Sequence, residues 1–566
     1  MVLLLAQLAS PPIHPGPARV PERAPNTSPR SGFQPDSEEE PFLRLPSNES
    51  LTPAEENPSA AGSQYVSITN AVNVVGDLPY PKDKLSELLK TCSKANDQTS
   101  RLQRCAEAIT GLLQKDGYVN SRVFIERETD PAQLTVVMGR LVELRIESES
   151  SALEQRLRNR LKPLLGRTLN LPDLQLQLQR LKQLSLVGTV TGSLGKLGSD
   201  PTQAVLTLAV KPASQPWRGD ISMSNEGNSG SGEWRSVVVL QKPTFLADGD
   251  VLQIYGELNA DSDPQLGVTL GSLSYTYPLS EAWALTGSFG ASRRKLVEAT
   301  GASKHLSFRQ YQGLAQLEWT FVDSVDQRWY ALAGLSVNRN KSYLSGDSVP
   351  LIIGGGLDGD LTSGFLRLGL GHAGSKGKLR WSSQIYGLQG IAGLSSQVQL
   401  EDFSFFGIQP GEARALGGGA SLGWNIEPNL QLDLRASAQL ALNELTSDMG
   451  FVLGSNVGLR GLPGTLISGD NGWLSTGELN WTVWGNSEHA LQLVPFIGMG
   501  GVQTPRESVR LDDTIGTSGL LLRWLRGRHW SMELGWIDHF NAHDNDGIWN
   551  DWLLGSGAYA KVRFRF

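Results

Sequence analysis

The sequence predicts two small α+β domains followed by a transmembrane antiparallel β-barrel of about sixteen strands. Three observations carry this prediction. Residues 217–566 alternate polar and apolar side chains in short segments, all fifteen Trp residues lie between Trp217 and Trp552, and residues 64–212 repeat one order of strands and helices. A chain of 566 residues is long enough for all three parts.

The composition excludes two classes of protein. Charged residues make up 19% of the chain and the formal net charge is -7, so the chain has no basic field for nucleic acid. No apolar run approaches the roughly 18 residues of a membrane-spanning helix, which excludes an α-helical membrane protein. A membrane β-barrel remains open, and two Cys residues are too few for a disulfide scaffold.

The first 63 residues are expected to lie outside any folded domain. Residues 1–10, MVLLLAQLAS, resemble the end of a secretory signal without its basic start, and we interpret them as a truncated signal peptide rather than a frayed apolar terminus. Twelve Pro residues and few aromatic ones follow, so the segment buries too little apolar surface to offset its ordering entropy. Residues 11–63 are therefore predicted to be a disordered, Pro-rich linker.

Two units of similar architecture come next, residues 64–141 and residues 142–212. Each has the order β-α-α-β-β, which indicates an internal duplication of architecture. The helices are predicted at about 82–94 and 99–115 in the first unit, and at about 151–162 and 171–184 in the second.

The sequences of both units resemble those of POTRA domains, the periplasmic polypeptide-binding modules of outer-membrane transporters. The resemblance rests on LLQKDGYVNSRVFI at 112–125 and LLGRTLNLPDLQLQLQRLKQL at 164–184. In the first stretch Gly117 precedes Tyr118, which suits a helix C-cap that turns into a strand. We therefore expect two POTRA domains in the periplasm.

Cys92 and Cys105 fall on the two predicted helices of the first POTRA domain. Because the periplasm is oxidising, we predict a disulfide between them. The alternative is a pair of unbonded, buried thiols.

Residues 213–566 are predicted to form the barrel, and the last predicted strand shows the alternation of polar and apolar residues most clearly. In AYAKVRFRF, residues 558–566, small and apolar residues alternate with Tyr, Lys and Arg, so one face is apolar and the other cationic. Such a strand is typical of a barrel with lipid outside and a wet lumen. Strand candidates begin near residues 217, 233, 250, 266, 283, 305, 327, 360, 377, 414, 430, 473, 490, 517, 529 and 553.

A long connection, residues 441–472, interrupts the alternation and contains GLRGLPG and SGDNG. Together with the two POTRA-like units, these two motifs resemble those of the TpsB family of two-partner secretion transporters. Its members are the haemolysin and adhesin secretion and activation proteins of the BamA superfamily. The resemblance covers about residues 64–566. In that family the loop folds back into the barrel and carries a V-R-G-Y signature, which corresponds here to Leu459-Arg460-Gly461-Leu462.

The resemblance implies that Arg460 and Gly461 act in transport, together with Gly469, Asp470 and Gly472 of the same loop. A lumenal Arg needs a carboxylate partner. The family's partner is the Asp of an F-x-D strand motif, which is Phe496-Ile497-Gly498 here, so the acid is missing. We expect Asp433 or Glu478, on neighbouring lumen-facing positions, to replace it.

The expected function is export of an unfolded, secreted TpsA-like client across the bacterial outer membrane. Outer-membrane lipid and the barrel-assembly machinery are the other expected partners, and Phe566 resembles the terminal assembly signal. An insertase for other barrels and a passive porin are the alternatives. GASLG at 419–423 lies within alternating strand rather than at a strand-to-helix turn, so it is not interpreted as a nucleophile elbow. Polar residues are expected in the outer loop before the final strand, so they are not interpreted as metal ligands: Asp538, His539, His543, Asp544 and Asp546. No enzyme, cofactor or metal site is predicted.

Overall fold

The computed structural model describes residues 43–44, 64–68, 72–92, 98–126, 133–182, 187–212, 217–247, 249–280, 282–298, 305–323, 327–505, 510–541 and 552–566. Two compact units divide between residues 214 and 215. The predicted signal peptide, and the predicted linker apart from residues 43–44, lie outside the described residues.

The N-terminal unit holds eight described strands and four described α-helices. They are β1 (Leu43–Arg44), β2 (Gln64–Ile68), β3 (Val72–Gly76), α1 (Lys82–Cys92), α2 (Gln98–Lys115), β4 (Arg122–Glu126), β5 (Gln133–Val137), β6 (Arg140–Ser148), α3 (Ser151–Leu161), α4 (Leu171–Lys182), β7 (Val187–Leu197) and β8 (Asp200–Pro212). The four helices follow their predicted bounds closely, because amphipathic periodicity is strong in this segment.

Two four-stranded sheets organise this unit, each with two helices. The first sheet has the order β2-β3-β5-β4 and the second the order β1-β7-β8-β6. In the first, Leu89, Ile109 and Leu134 form a core with at most 1% exposure. In the second, Leu157, Leu178 and Leu206 are fully buried. Each sheet therefore has its own core, as a duplicated architecture requires.

The structure differs from the sequence prediction at two places in this unit. The strand-like stretch YVSITNAVNVVG, residues 65–76, counts as one strand in the predicted β-α-α-β-β order, but the structure has the antiparallel pair β2 and β3 there. Leu43–Arg44, predicted to be disordered, forms β1 and pairs in parallel with Gly192 and Ser193 on β7. An edge strand offers unpaired backbone groups, so a short extended segment can bind there whatever its composition.

Gly117 ends α2 as the sequence predicts. Its φ is +91°, a left-handed conformation that glycine adopts without strain. The N–H of Tyr118 donates to the carbonyl oxygen of Leu113 at 2.8 Å, and the chain then turns into β4.

The C-terminal unit is a closed antiparallel barrel, which confirms the predicted fold class. Its wall strands are β9 (Arg218–Ser224), β10 (Trp234–Pro243), β11 (Val251–Ala260), β12 (Leu266–Pro278), β13 (Trp283–Lys295), β14 (Leu306–Asp323), β15 (Gln327–Leu344), β17 (Asp360–Lys376), β18 (Leu379–Gly390), β19 (Arg414–Glu427), β20 (Leu430–Ala441), β23 (Asn471–Gly485), β24 (His489–Pro505), β25 (Arg510–Arg526), β26 (Trp530–Asn541) and β27 (Ala558–Arg565). Three short strands, β16 (Asp347–Ser348), β21 (Phe451–Leu453) and β22 (Ile467–Gly469), and helix α5 (Gln397–Phe405) lie in the connections.

Fourteen of the sixteen wall strands begin within two residues of the predicted start. β25 begins at Arg510 rather than near 517, because the adjacent Asp512 and Asp513 break the alternation that the prediction relied on. β27 begins at Ala558 rather than near 553, because residues 552–557 form turns.

The wall has an apolar outer face and a polar inner face. Leu368 and Ile385 project outward with 64% and 65% exposure, whereas Gln310 and Asn338 are at most 1% exposed on the inner face. Short connections join the strands at the end where β9 begins and Phe566 lies, and we call it the turn end. The longer connections are at the other end, the loop end. Among the described residues, no helix is long and apolar enough to cross a membrane.

Candidate functional site

The connection between β20 and β23, residues 442–470, folds into the barrel, and we call it the in-folded loop. β21 and β22 pair as a hairpin that carries residues 454–466 to the loop's tip. Leu459 and Leu462 are fully buried among inward side chains of the wall, including those of Phe496 and Ile537. The two residues that depart from the V-R-G-Y signature are therefore apolar anchors of the tip.

Arg460 projects from the tip into a group of charged side chains on the wall. Its guanidinium donates to Glu533 Oε2 at 2.6 Å and to Glu478 Oε2 at 2.9 Å. It also donates to the Tyr559 hydroxyl at 3.2 Å. The loop tip is thus bound to three wall strands, β23, β26 and β27, through one side chain.

A second arginine completes this group. Arg523 on β25 donates to Glu533 Oε1 at 2.7 Å and to Glu478 Oε1 at 2.9 Å. Each carboxylate therefore bridges two guanidiniums, one from the loop and one from the wall. We call Arg460, Arg523, Glu478 and Glu533 the four-residue network. The two positive and two negative charges balance, so the partly buried group carries no net charge.

The network contains one of the two predicted partners of Arg460. Glu478 is bound to it, whereas Asp433 accepts hydrogen bonds from Gln431 and Asn480 at 2.9 Å. Sequence reasoning missed Glu533, which lies 73 residues from Arg460 along the chain. The signal was present, because the alternation of β26 puts Glu533 on the face opposite the exposed Trp530 and Trp536.

Gly461 needs to be glycine for two reasons. Its φ is +83°, and a Cβ would collide with the side chain of Ile537 on the wall. Its N–H donates to Glu226 Oε1 at 2.8 Å, and its carbonyl oxygen accepts from His539 Nε2 at 2.7 Å. Neither Glu226 nor His539 was predicted as a site residue.

The other predicted loop residues lie where the in-folded loop joins the wall, away from Arg460: Gly469 and Asp470 are the last residues of the loop, and Gly472 is on β23. The carbonyl oxygen of Asp470 accepts from Gln439 Nε2 at 3.1 Å, and its N–H donates to Thr504 Oγ1 at 3.2 Å. Gly469 and Gly472 lie against backbone and the Phe451 ring, where a Cβ would be crowded. These three residues hold the loop's base on the wall.

Phe566 lies at the seam where the first and last strands meet. β9 and β27 share five residue pairs, from Ser224 with Lys561 to Asp220 with Arg565. Phe566 extends the seam, because its N–H and carbonyl oxygen both bond with Gly219, at 3.0 and 2.9 Å. The terminal residue therefore contributes to barrel closure.

In the N-terminal unit, Cys92 and Cys105 are joined by a disulfide between α1 and α2, with their Cα atoms 5.1 Å apart. Among the described residues there is no group of three or more His, Cys, Asp or Glu side chains that could hold a metal ion.

The family model for Haemolysin secretion/activation protein ShlB/FhaC/HecB matches residues 203–519, more than half of the chain. The chain belongs to this family. The resemblance to two-partner secretion transporters is thereby confirmed, and the chain is an outer-membrane secretion and transport protein of a transporter family, not of an enzyme family. No curated protein sequence matches the chain.

Solved structures share the fold of this ShlB/FhaC/HecB family member. CdiB from Escherichia coli is 18% identical, with 91% of this chain and 93% of that chain covered and a TM-score of 0.61. CdiB from Acinetobacter baumannii is 15% identical, with 91% and 94% covered and a TM-score of 0.55. BamA from Haemophilus ducreyi lacking POTRA domains 1-3 is 16% identical, with 88% and 99% covered and a TM-score of 0.51.

Proposed function

We propose that this chain captures one unfolded, secreted TpsA-like client in the periplasm and passes it through the barrel lumen to the cell exterior. The four-residue network acts as the lock of the pathway. While it is intact, the in-folded loop stays in the lumen, and export requires Arg460 to leave Glu478 and Glu533. The observation that carries the proposal is the in-folded loop, bound to opposite charges on the wall by Arg460.

Capture is assigned to residues 64–212 in the periplasm. β4 is an edge strand of the first sheet and β6 an edge strand of the second. An extended client can pair with such an edge through backbone hydrogen bonds, which needs no particular client sequence. The direction of transport would then come from folding of the client outside.

Two other functions compete with this proposal. A passive porin for small solutes gains nothing from a lumen occupied by a locked loop, or from POTRA-like sheets. An insertase of the same superfamily would act on many barrels rather than on one secreted client. The three functions therefore differ in which proteins change when the chain is removed.

The test compares secreted proteins from cells with and without this chain, with the outer-membrane proteome as the control. Loss of one or a few large exported proteins, with other barrels unchanged, is the expected result. A general loss of barrels would replace the proposal with the insertase, and no change in either fraction would favour the porin.

A further inference from the structure

The connection between β9 and β10, residues 225–233 (NEGNSGSGE), is buried although its composition is that of an exposed turn. We call it the first loop. Asn225, Glu226 and Glu233 are 1%, 5% and 5% exposed. Polar loop residues ordinarily face water, so burial of this loop requires partners for its polar groups. Those partners lie on the seam, on the in-folded loop and on Glu298, Trp552 and Leu553 at the loop end, which we call the cap.

At the seam, Asn225 prolongs the pairing of β9 with β27 by means of its side chain. Its Nδ2 donates to the carbonyl oxygen of Ala558 at 2.7 Å, and its Oδ1 accepts from the N–H of Ala560 at 3.0 Å. The side-chain amide copies a backbone amide at the point where the short strand β9 ends. The backbone N–H of Asn225 also donates to the Ala560 carbonyl oxygen at 3.3 Å, so Asn225 closes the loop end of a seam whose two strands share five residue pairs.

The next three residues of the first loop hold the tip of the in-folded loop. Glu226 Oε1 accepts from the Gly461 N–H at 2.8 Å. The Gly227 carbonyl oxygen accepts from the N–H of residue 464 at 2.6 Å, and Asn228 Oδ1 accepts from that of residue 465 at 3.0 Å. Gly461 directly follows Arg460, so these bonds position the arginine in the network.

The far end of the first loop is bound to the cap at the loop end. Glu233 Oε1 accepts from the Leu553 N–H at 2.8 Å. The carbonyl oxygen of Gly230 accepts from the N–H of Glu298 at 3.3 Å. The Glu298 carboxylate in turn accepts from Trp552 Nε1 at 2.8 Å. The loop is thus fixed at both ends.

We propose that the first loop couples the barrel seam to the in-folded loop, with Asn225 and Glu226 as positioning residues. The seam contact and the tip contacts belong to four consecutive residues, 225–228, and consecutive Cα atoms are about 3.8 Å apart. When β9 separates from β27, these four residues move and the tip loses its bonds. When the tip leaves, the seam loses the support of the loop, because coupling of this kind is reciprocal.

This proposal deepens the transport function and takes its meaning from it, but its test needs no client. Thr517 on β25 lies under the tip, fully buried, and its Oγ1 donates to the Arg460 carbonyl oxygen at 2.9 Å. The native Cys92 and Cys105 are disulfide-bonded, so Thr517→Cys supplies a reactive thiol. The labelling rate of purified full-length protein in lipid vesicles with a membrane-impermeant maleimide reports how often the tip is displaced.

In the Thr517→Cys background, Glu226→Ala is expected to raise the labelling rate about tenfold, because one hydrogen bond to a charged group is lost. Glu226→Gln keeps an acceptor oxygen and should restore most of the protection. Asn225→Ala, which removes no bond to the in-folded loop, should raise the rate about fivefold. Ser229→Ala, in the same loop, is the matched control and should leave the rate unchanged.

Three results would overturn the proposal. If Asn225→Ala leaves the rate unchanged while Glu226→Ala raises it, the first loop holds the tip without coupling it to the seam. If neither variant raises the rate, the contacts have no effect on the tip. If Ser229→Ala raises it as much as the other two, the loop is merely unfolding. If the proposed transport function is wrong, secretion will be unchanged in cells without the chain, while the labelling rates of the variants will still follow the pattern expected here.

Discussion

Replacement of Arg460 by Ala tests the lock directly. The change removes hydrogen bonds to Glu533, Glu478 and Tyr559, of 2.6, 2.9 and 3.2 Å. The carboxylates keep Arg523, at 2.7 and 2.9 Å, so the network loses one of its two cations and acquires a net negative charge. The tip then stays in place only by its apolar anchors and backbone bonds.

The expected magnitude follows from burial. Removing one partner of a buried ion pair costs about 3–5 kcal/mol. Here the Arg460 side chain is 22% exposed and Glu478 24%, and a second cation remains, so the smaller end of that range applies. A cost of about 3 kcal/mol corresponds to a roughly 100-fold larger population of the displaced loop.

Conductance of single barrels in a planar bilayer measures that population, and export from cells measures its consequence. Arg460→Ala should increase the fraction of time at the open level, because the displaced loop becomes more populated. It should also reduce export, because the loop no longer returns to one bound position between rounds of transport, and the amounts in the outer membrane should be unchanged. Arg460→Lys keeps the charge but lacks the planar guanidinium that donates to Glu533 and Glu478 at once, so its conductance and export should lie between those of the wild type and Arg460→Ala. Arg414→Ala removes an exposed arginine that bonds Gln389 and is the matched control. Unchanged conductance and export in Arg460→Ala would refute the lock.

Gly461→Val should shift conductance and export in the same direction as Arg460→Ala, because a Cβ at this positive φ would collide with the wall. Wild-type conductance and export in this variant would contradict close packing of the tip against the wall. Replacing Cys92 and Cys105 together by Ser should lower the stability of the first sheet by about 3 kcal/mol for a loop of this length, measured by urea-dependent proteolysis of residues 64–212 in the full-length protein; equal resistance would show that the bond stabilises nothing. Deleting Phe566 should lower the amount of barrel in the outer membrane, and normal levels would remove its role in assembly. Burial raises the pKa of Glu298 from 4.5 to about 7, so its stabilising contribution is complete below pH 4.5 and is lost as the pH rises through 7. The barrel should therefore resist heating better at pH 5 than at pH 8, and Glu298→Gln, neutral at both, should reduce the difference; an unchanged difference would mean that other groups cause it.

The wall strands were predictable from the sequence because each carries its own signal. A strand with lipid on one face and a wet lumen on the other must alternate, and the period of two is readable without knowledge of its neighbours. The helices of residues 64–212 are readable for the same reason, with a period of 3.6. The β2 and β3 pair was missed because YVSITNAVNVVG, residues 65–76, reads as one continuous strand-like stretch.

The contacts of Arg460 were only partly predictable, because they depend on how distant strands are arranged around the barrel. The family resemblance pointed to β24, where Gly498 stands in place of the acid. The acids are instead on β23 and β26, one on each side of the pair β24 and β25. Alternation shows that Glu478 and Glu533 face the lumen, but not that they meet around one arginine.

Burial of the first loop left no sequence signal at all. NEGNSGSGE has the composition of a solvent-exposed turn. It is buried because the in-folded loop and the cap supply partners for its polar groups. Tertiary contacts of this kind are set by the whole assembly of loops and not by local composition.

Site-specific crosslinking tests most directly whether the client passes through the lumen. Gln384 and Ile385 are consecutive residues of β18 on opposite faces of the wall: Arg367 donates to Gln384 on the inner face, and Ile385 is 65% exposed on the outer face. A photoreactive side chain at each position, in cells that export the client found by the secretion comparison, reports what passes each face. Passage through the lumen predicts a crosslink to the client from position 384 and none from position 385. A crosslink from 385 alone, or from neither position while export continues, would contradict it.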